Sequence, residues 1–169
     1  MRICKLLFVL TTIGVFVVSS DSSVVAGSAT ANLQVTAAVN ANCSITTATV
    51  AFPTYDPVVT HSATNDDGTG TVTIACTKGT VATIGLGLGA NALVSQRRMK
   101  DATTDYLNYA LYLDAARTTI WGTASPNLLT PVAAPDKTAR AFTVYGRIPS
   151  AQDIPAGAYT DTVVATVNF

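Results

Sequence analysis

The chain has 169 residues, 49% of them hydrophobic, and carries ten Lys/Arg against ten Asp/Glu. That balance supplies no electrostatic footprint for nucleic acid or for an anionic membrane surface. Beyond the N-terminal region no apolar run approaches the roughly 20 residues of a bilayer span, so no membrane insertion of the exported part is expected.

In chain order, Arg2 and Lys5 form a short positive region ahead of an apolar run, 6–18, interrupted only by Thr11, Thr12 and Gly14. The run is too short to span, and Ser19, Ser20, Asp21, Ser22 and Ser23 follow it. Val24 and Ala26 then occupy the −3 and −1 positions of a cleavage site. This order of charge, apolar core and small residues reads as a secretory signal peptide, 1–26, rather than an uncleaved anchor. Cleavage after Ala31 is the alternative. The exported part, 27–169, suits one domain with a sizeable core. Once Arg2, Lys5 and Asp21 are removed it keeps eight Lys/Arg and nine Asp. Cys4 leaves too, and the remaining pair, Cys43 and Cys76, is most simply one disulfide in an exported chain. With His61 as the one histidine, these ligands do not complete a tetrahedral site, and neither metal nor cofactor is expected.

Thr, Val and Ala dominate the exported part, and strand signals recur between turn signals. Residues 29–39 alternate, with Ala31, Leu33, Val35, Ala37 and Val39 on one face and Asn32, Gln34 and Thr36 opposite. Residues 50–52 are a short apolar piece stopped by Pro53 and Pro57. The polar stretch 61–70 reads as a loop, and Val72, Ile74 and Cys76 mark the next strand. Residues 81–88 are strand-like, with Gly85 and Gly87 suggesting a bulge or a close backbone approach. Arg97, Arg98, Met99, Lys100 and Asp101 read as a solvated charged turn. Residues 106–113 give the clearest internal strand, 118–121 resume one, and 125–137 hold three prolines and read as a long loop. A strand at 141–148, a turn-rich connection and a last strand at 159–169 complete the chain. Seven or eight short strands point to an all-β sandwich.

The two end strands carry the functional signal. In the last one Tyr159, Val163, Ala165, Val167 and Phe169 share a face, and the sequence stops on Phe169 with no polar tail. That leaves a sheet edge nothing later covers, while the alternating segment 29–39 lies before the first disulfide cysteine. The two either pair within one domain or serve β-strand addition between molecules.

Other constellations read as structure. His61 lacks a nucleophile and an orienting partner in the pattern, so no catalytic set is expected. Asn65, Asp66 and Asp67 before Gly68 lack the spaced ligands of an EF-hand. Gly85-Leu86-Gly87-Leu88-Gly89 lacks the spacing and following helix of a nucleotide loop. Asn42-Cys43-Ser44 is formally a glycosylation sequon, with its Asn against the expected disulfide. Trp121 reads as a core residue, with a sugar platform as the alternative.

Three stretches resemble spore coat protein U domains: Ala31-Asn32-Leu33-Gln34-Val35-Thr36-Ala37-Ala38-Val39 leading to Asn42-Cys43, Leu107-Asn108-Tyr109-Ala110-Leu111-Tyr112-Leu113-Asp114 on to Ile120-Trp121-Gly122, and Gly146-Arg147-Ile148-Pro149-Ser150 through Ile154-Pro155-Ala156-Gly157 to Tyr159-Thr160-Asp161-Thr162-Val163. The family includes Csu-type pilins of the archaic chaperone–usher pathway. The resemblance implies an incomplete immunoglobulin-like β-sandwich, 41–169, preceded by an N-terminal donor strand segment, 27–40. It implies Ala31, Leu33, Val35, Ala37 and Val39 as the donor face, and Tyr159, Val163, Ala165, Val167 and Phe169 as the strand bordering an acceptor groove. It further implies a periplasmic chaperone, an outer-membrane usher and neighbouring pilin subunits as partners. The protein would pass through the periplasm to a surface fimbrium supporting adhesion or biofilm formation. The competing readings are a spore or cell-surface coat protein of the same domain type, a monomeric secreted carbohydrate-binding module, and a secreted enzyme.

Overall fold

The computed structural model describes residues 25–169, so residues 1–24 of the expected signal peptide lie outside the described part. The chain divides into a unit ending at Ala37 and a second unit, Ala38–Phe169. In the first, the described residues have no regular secondary structure and are exposed.

The second unit is all-β. Its strands are β1 (Cys43–Ala51), β2 (Asp66–Cys76), β3 (Thr83–Leu86), β4 (Arg97–Lys100), β5 (Tyr106–Tyr112), β6 (Arg140–Ile148) and β7 (Ala165–Asn168). Five of them form an antiparallel sheet in the order β1-β2-β6-β5-β4, and β3 pairs with β7. A bridge between Lys100 and Thr160 ties the outer strand β4 to the segment leading into β7. The sheet therefore curls around a core in which Val72, Ile74, Ile84, Trp121 and Ile148 are the most deeply buried large side chains. Trp121 is 0% exposed, and its indole N–H donates to the Ile84 carbonyl at 2.9 Å. That bond satisfies the one polar atom this large side chain carries inward.

β2 shows why the pattern folds as it does. Asp66, Gly68, Gly70, Val72, Ile74 and Cys76 are all buried, and their neighbours are not. The period of two continues through the polar stretch 66–70, expected to be a loop, because two inward positions there are glycine. A Cβ on Gly70 would lie 2.9 Å from the Val50 backbone, and one on Gly146 of β6 would lie 2.6 Å from the Phe52 ring. The end of β1 can cross these strands only where side chains are missing. β1 also shifts register between Ala48 and Ala51. This bulge moves the inward positions from Cys43 and Ile45 to Val50 and Phe52.

Other expectations need correction. Residues 29–39 form no strand within the chain, since no described strand pairs with them. The charged turn at 97–101 is instead β4, because Arg97 and Met99 pair against Tyr109 and Leu107. The strand expected at 118–121 shrinks to a single bridge, Ile120 to Tyr112. The strand at 81–88 narrows to Thr83–Leu86, and that at 159–169 to Ala165–Asn168.

Candidate functional site: an open groove beside the last strand

The segment 160–168 has one bonded edge and one free edge. Thr160 exchanges backbone bonds with Lys100, Thr162 accepts from Ala90, and Val164 accepts from Gly87, after which β3 takes over. These partners all meet even-numbered residues. Strand geometry therefore turns the N–H and C=O groups of Val163, Ala165 and Val167 to the opposite edge, which no strand of the described residues covers. β1 lies across from that edge and is itself paired only with β2.

Between the two edges runs a groove. One concavity of about 360 Å³ is walled by Thr47, Ala48 and Val50 on one side and by Asp161, Val163 and Ala165 on the other. Val72, Leu86, Tyr109, Leu111 and Val144 form its floor. A second, of about 640 Å³, shares Val50, Phe52 and Met99 with the first and extends to Ile154 and Tyr159. Thr47 records the opening directly. It occupies an inward position after Cys43 and Ile45, yet it is exposed.

Polar bonds hold the groove wall in place. The Tyr109 hydroxyl donates to Asp161 Oδ2 at 2.6 Å, and Oδ1 accepts from the backbone N–H groups of Ala90 and Asn91 at 2.9 and 3.2 Å. Burial, followed by the Asp161 hydrogen bond, pushes the Tyr109 phenol above its ordinary range, so it stays a neutral donor. Gly89 sits at φ +92°, where a Cβ would run into the Asp161 carboxylate. Beneath them Arg97 is 3% exposed. Its guanidinium donates to the carbonyls of Leu86, Gly87 and Trp121 at 2.7–2.9 Å, and desolvation lowers its pKa.

The expected acceptor strand maps onto this wall in part. Tyr159, Val163, Ala165 and Val167 are half-buried, and Phe169 is 56% exposed. On the expected donor face Leu33, Val35 and Val39 are 88%, 84% and 83% exposed, and Ala31 and Ala37 are exposed as well. Cys43 and Cys76, opposed in the β1–β2 register, are bonded at 2.06 Å.

The other candidates fall elsewhere. His61 is not a solvated loop residue. It is 8% exposed, stacks on Tyr55 at 4.8 Å, and its Nδ1 accepts the Asp56 N–H at 2.8 Å. Its Nε2 faces the buried Asp66 carboxylate at 3.9 Å. Asp67 pairs with Arg147 at 2.7 Å and with Arg117 at 3.2 Å. Among the described residues no three His, Cys, Asp or Glu side chains cluster as metal ligands would. Gly85 and Gly87 serve close approach, Gly87 donating to Val164. Trp121 lies in the core and offers no face to a sugar. Arg97 is buried, whereas Arg98 covers the Tyr106 ring at 4.0 Å. Sequence reasoning missed the Arg97–Tyr109–Asp161 arrangement, because its members are linked only by the fold.

The described domain is all-β, its last strand bonded along one edge only, with an apolar groove beside the other. The model of the Spore Coat Protein U domain matches residues 29–166, and the chain belongs to that family. It is 44% identical over 161 residues to Protein U of Myxococcus xanthus, covering 85% of this chain and 87% of that protein. Its fold is also that of a chain in the CsuC–CsuE chaperone–tip adhesion subunit pre-assembly complex from the archaic chaperone–usher Csu pili of Acinetobacter baumannii. The TM-score is 0.59 at 20% identity, over 78% of this chain and 40% of that one.

Proposed function

We propose that this protein is an exported structural subunit of a chaperone–usher surface pilus that polymerises by donor-strand exchange, and that it is not an enzyme. The observation that carries this reading is the pairing of two unmet needs. Val163, Ala165 and Val167 present an unbonded strand edge beside an apolar groove, and Leu33, Val35 and Val39 lie exposed on an alternating arm. Burying those three side chains yields roughly 1.5–3 kcal/mol each in gross terms, and the new ladder bonds satisfy the edge. Before assembly a periplasmic chaperone would fill the groove, because an open edge of this kind invites aggregation. An outer-membrane usher would then exchange the chaperone's strand for a neighbour's arm. The protein would end in a surface fimbrium.

A second reading, a spore or cell-surface coat protein of the same domain type, is favoured by the family's description and by the Myxococcus xanthus relative. It uses the same strand chemistry in a different assembly. Replacing Leu33 and Val35 with Asp tests what both share. Two charges would then enter an apolar groove at a cost of several kcal/mol. The expected result is a chain that folds, co-purifies with its chaperone and fails to join a polymer. Normal polymerisation of the variant would sink the donor-strand account, and unfolding would make the arm an internal core strand.

A further inference from the structure

The outer face of the five-stranded sheet, opposite the core, carries a chemistry that strand exchange does not use. Every second residue of β5 turns outward there: Tyr106, Asn108, Ala110 and Tyr112 are half-buried, between the buried Leu107, Tyr109 and Leu111. The register sets Lys100 beside Tyr106 and Arg98 beside Asn108 on β4. On β6 it sets Arg147 beside Ala110 and Tyr145 beside Tyr112. Strand rise and spacing make this band about 20 Å long and about 10 Å across, with the small Ala110 as its low point. The ladder groups of β5 are taken up by β4 and β6, and the Gln152 side chain bonds both the N–H and the carbonyl of Asn108. The band therefore offers a ligand side chains rather than a strand edge.

Charge is unevenly placed on this domain. Of the exported part's eight cationic side chains, Arg98, Lys100, Arg117 and Arg147 gather at the band, and of its nine aspartates only Asp67 forms an ion pair with them among the described residues. Arg117 arrives from the turn after β5 at φ +57°, donates to the Gly146 carbonyl at 3.0 Å and lies 5.8 Å from the Tyr145 ring. At the other end Arg98 lies 4.0 Å over the Tyr106 ring and Lys100 stands 5.9 Å from it. Neither of these two forms an ion pair among the described residues. Asp101 and Asp105 act instead on the Tyr159 phenol, beside the groove. A guanidinium and an ammonium free of acidic partners suit carboxylates. Tyr112 and Tyr145 present flat apolar bodies with hydroxyl tips, which suit sugar rings with their apolar faces and polar edges. Two unpaired cations are too few for a strand that carries a phosphate at each nucleotide. The exposed large apolar side chains lie elsewhere, so the band has nothing to bury in a lipid surface.

We propose that this outer band is a binding platform for an acidic polysaccharide, with Arg98 and Lys100 holding its carboxylates and Tyr112 and Tyr145 carrying its sugar rings. The test measures binding of alginate, a polymer of uronic acids, to the full exported chain, with uncharged dextran and oligothymidylate as comparison ligands. Three variants are measured beside it: Arg98→Gln with Lys100→Gln, Tyr112→Leu, and Lys78→Gln with Lys137→Gln as a pair of cations away from the band. Thermal unfolding establishes that each is folded. The unaltered chain is expected to bind alginate, more weakly as salt rises, and to bind dextran and oligothymidylate at least about tenfold more weakly. Losing Arg98 and Lys100 should weaken alginate binding by about tenfold or more, the scale of charge-assisted contacts, and flatten its salt dependence. Tyr112→Leu should weaken it without changing the salt dependence. The Lys78 and Lys137 pair should leave it within about twofold, because exposed charges away from the contact are screened. A chain carrying Leu33→Asp and Val35→Asp should bind alginate like the unaltered one, which separates this surface from strand exchange. A folded chain that ignores alginate would overturn the proposal. So would an equal loss in the Lys78 and Lys137 variant, or binding of dextran or oligothymidylate as tight as that of alginate.

Discussion

Asp66 and Asp67 are neighbours in sequence with opposite electrostatic situations. Asp66 is 3% exposed, its Oδ2 has no hydrogen-bond partner, and desolvation raises its pKa above 3.8. A raised carboxyl pKa means the fold binds the proton more tightly than the unfolded chain does. The ionised group thus lowers stability above the folded pKa, and that penalty disappears as pH falls toward the unfolded value. Asp66→Asn is expected to raise the melting temperature at neutral pH, with the gain closing in acid. Asp67 is the reverse case. The hydrogen bond from Arg147, aided by Arg117, holds its carboxyl below the usual range. Its contribution is present above about pH 4 and is lost as pH falls through the lowered folded pKa. Asp67→Asn should therefore destabilise at neutral pH, by less than about 1 kcal/mol for a partly exposed pair, with no difference in strong acid. Thermal unfolding of the two variants across pH checks both signs.

β1 is the element on which groove and arm both depend. The disulfide fixes its start, the bulge between Ala48 and Ala51 redirects its end, and Gly70 and Gly146 admit that end onto β2 and β6. Replacing both cysteines by Ser is expected to cost about 2–5 kcal/mol, measured by denaturant unfolding of the oxidised and substituted chains. Gly146→Val should displace Phe52, a residue of the groove wall, and weaken uptake of a 29–39 peptide more than it lowers stability. Much of this element was hidden in the sequence. Only residues 50–52 read as β1, because Thr46, Thr47 and Thr49 carry no apolar alternation, and the groove removes the burial that would have imposed it. β5, β6, the second half of β2 and the disulfide were legible because each has a strict period of two or an unambiguous pairing, whereas 66–70 of β2 read as a loop because its inward positions are Asp66, Gly68 and Gly70. β4 was not: Arg97 looks solvated until its guanidinium is seen capped by three backbone carbonyls. His61 misled in the same way, since Tyr55 and Asp56 bury it from an adjacent loop. The alternation of 29–39 is visible in the sequence, but a pattern does not say which molecule supplies the partner strand.

The unit Ala38–Phe169 is an almost closed curl of strands with one seam left open among its described strands. β1 and the segment 161–167 stand on either side of that seam without a bonded strand between them, and the apolar arm sits in sequence directly before β1. The central claim is that one molecule's arm closes another's seam, and paired lesions test it most directly. In one chain Leu33→Asp and Val35→Asp disable the arm and leave the groove intact. In the other Thr47→Trp fills the groove from an exposed inward position and leaves the arm intact. Sedimentation of each chain alone is expected to show no assembly. An equimolar mixture should form one-to-one heterodimers that grow no further, since each pair offers a single working arm and a single working groove. Multimers from either chain alone, or a mixture that stays entirely monomeric while the unaltered chain assembles, would contradict the account.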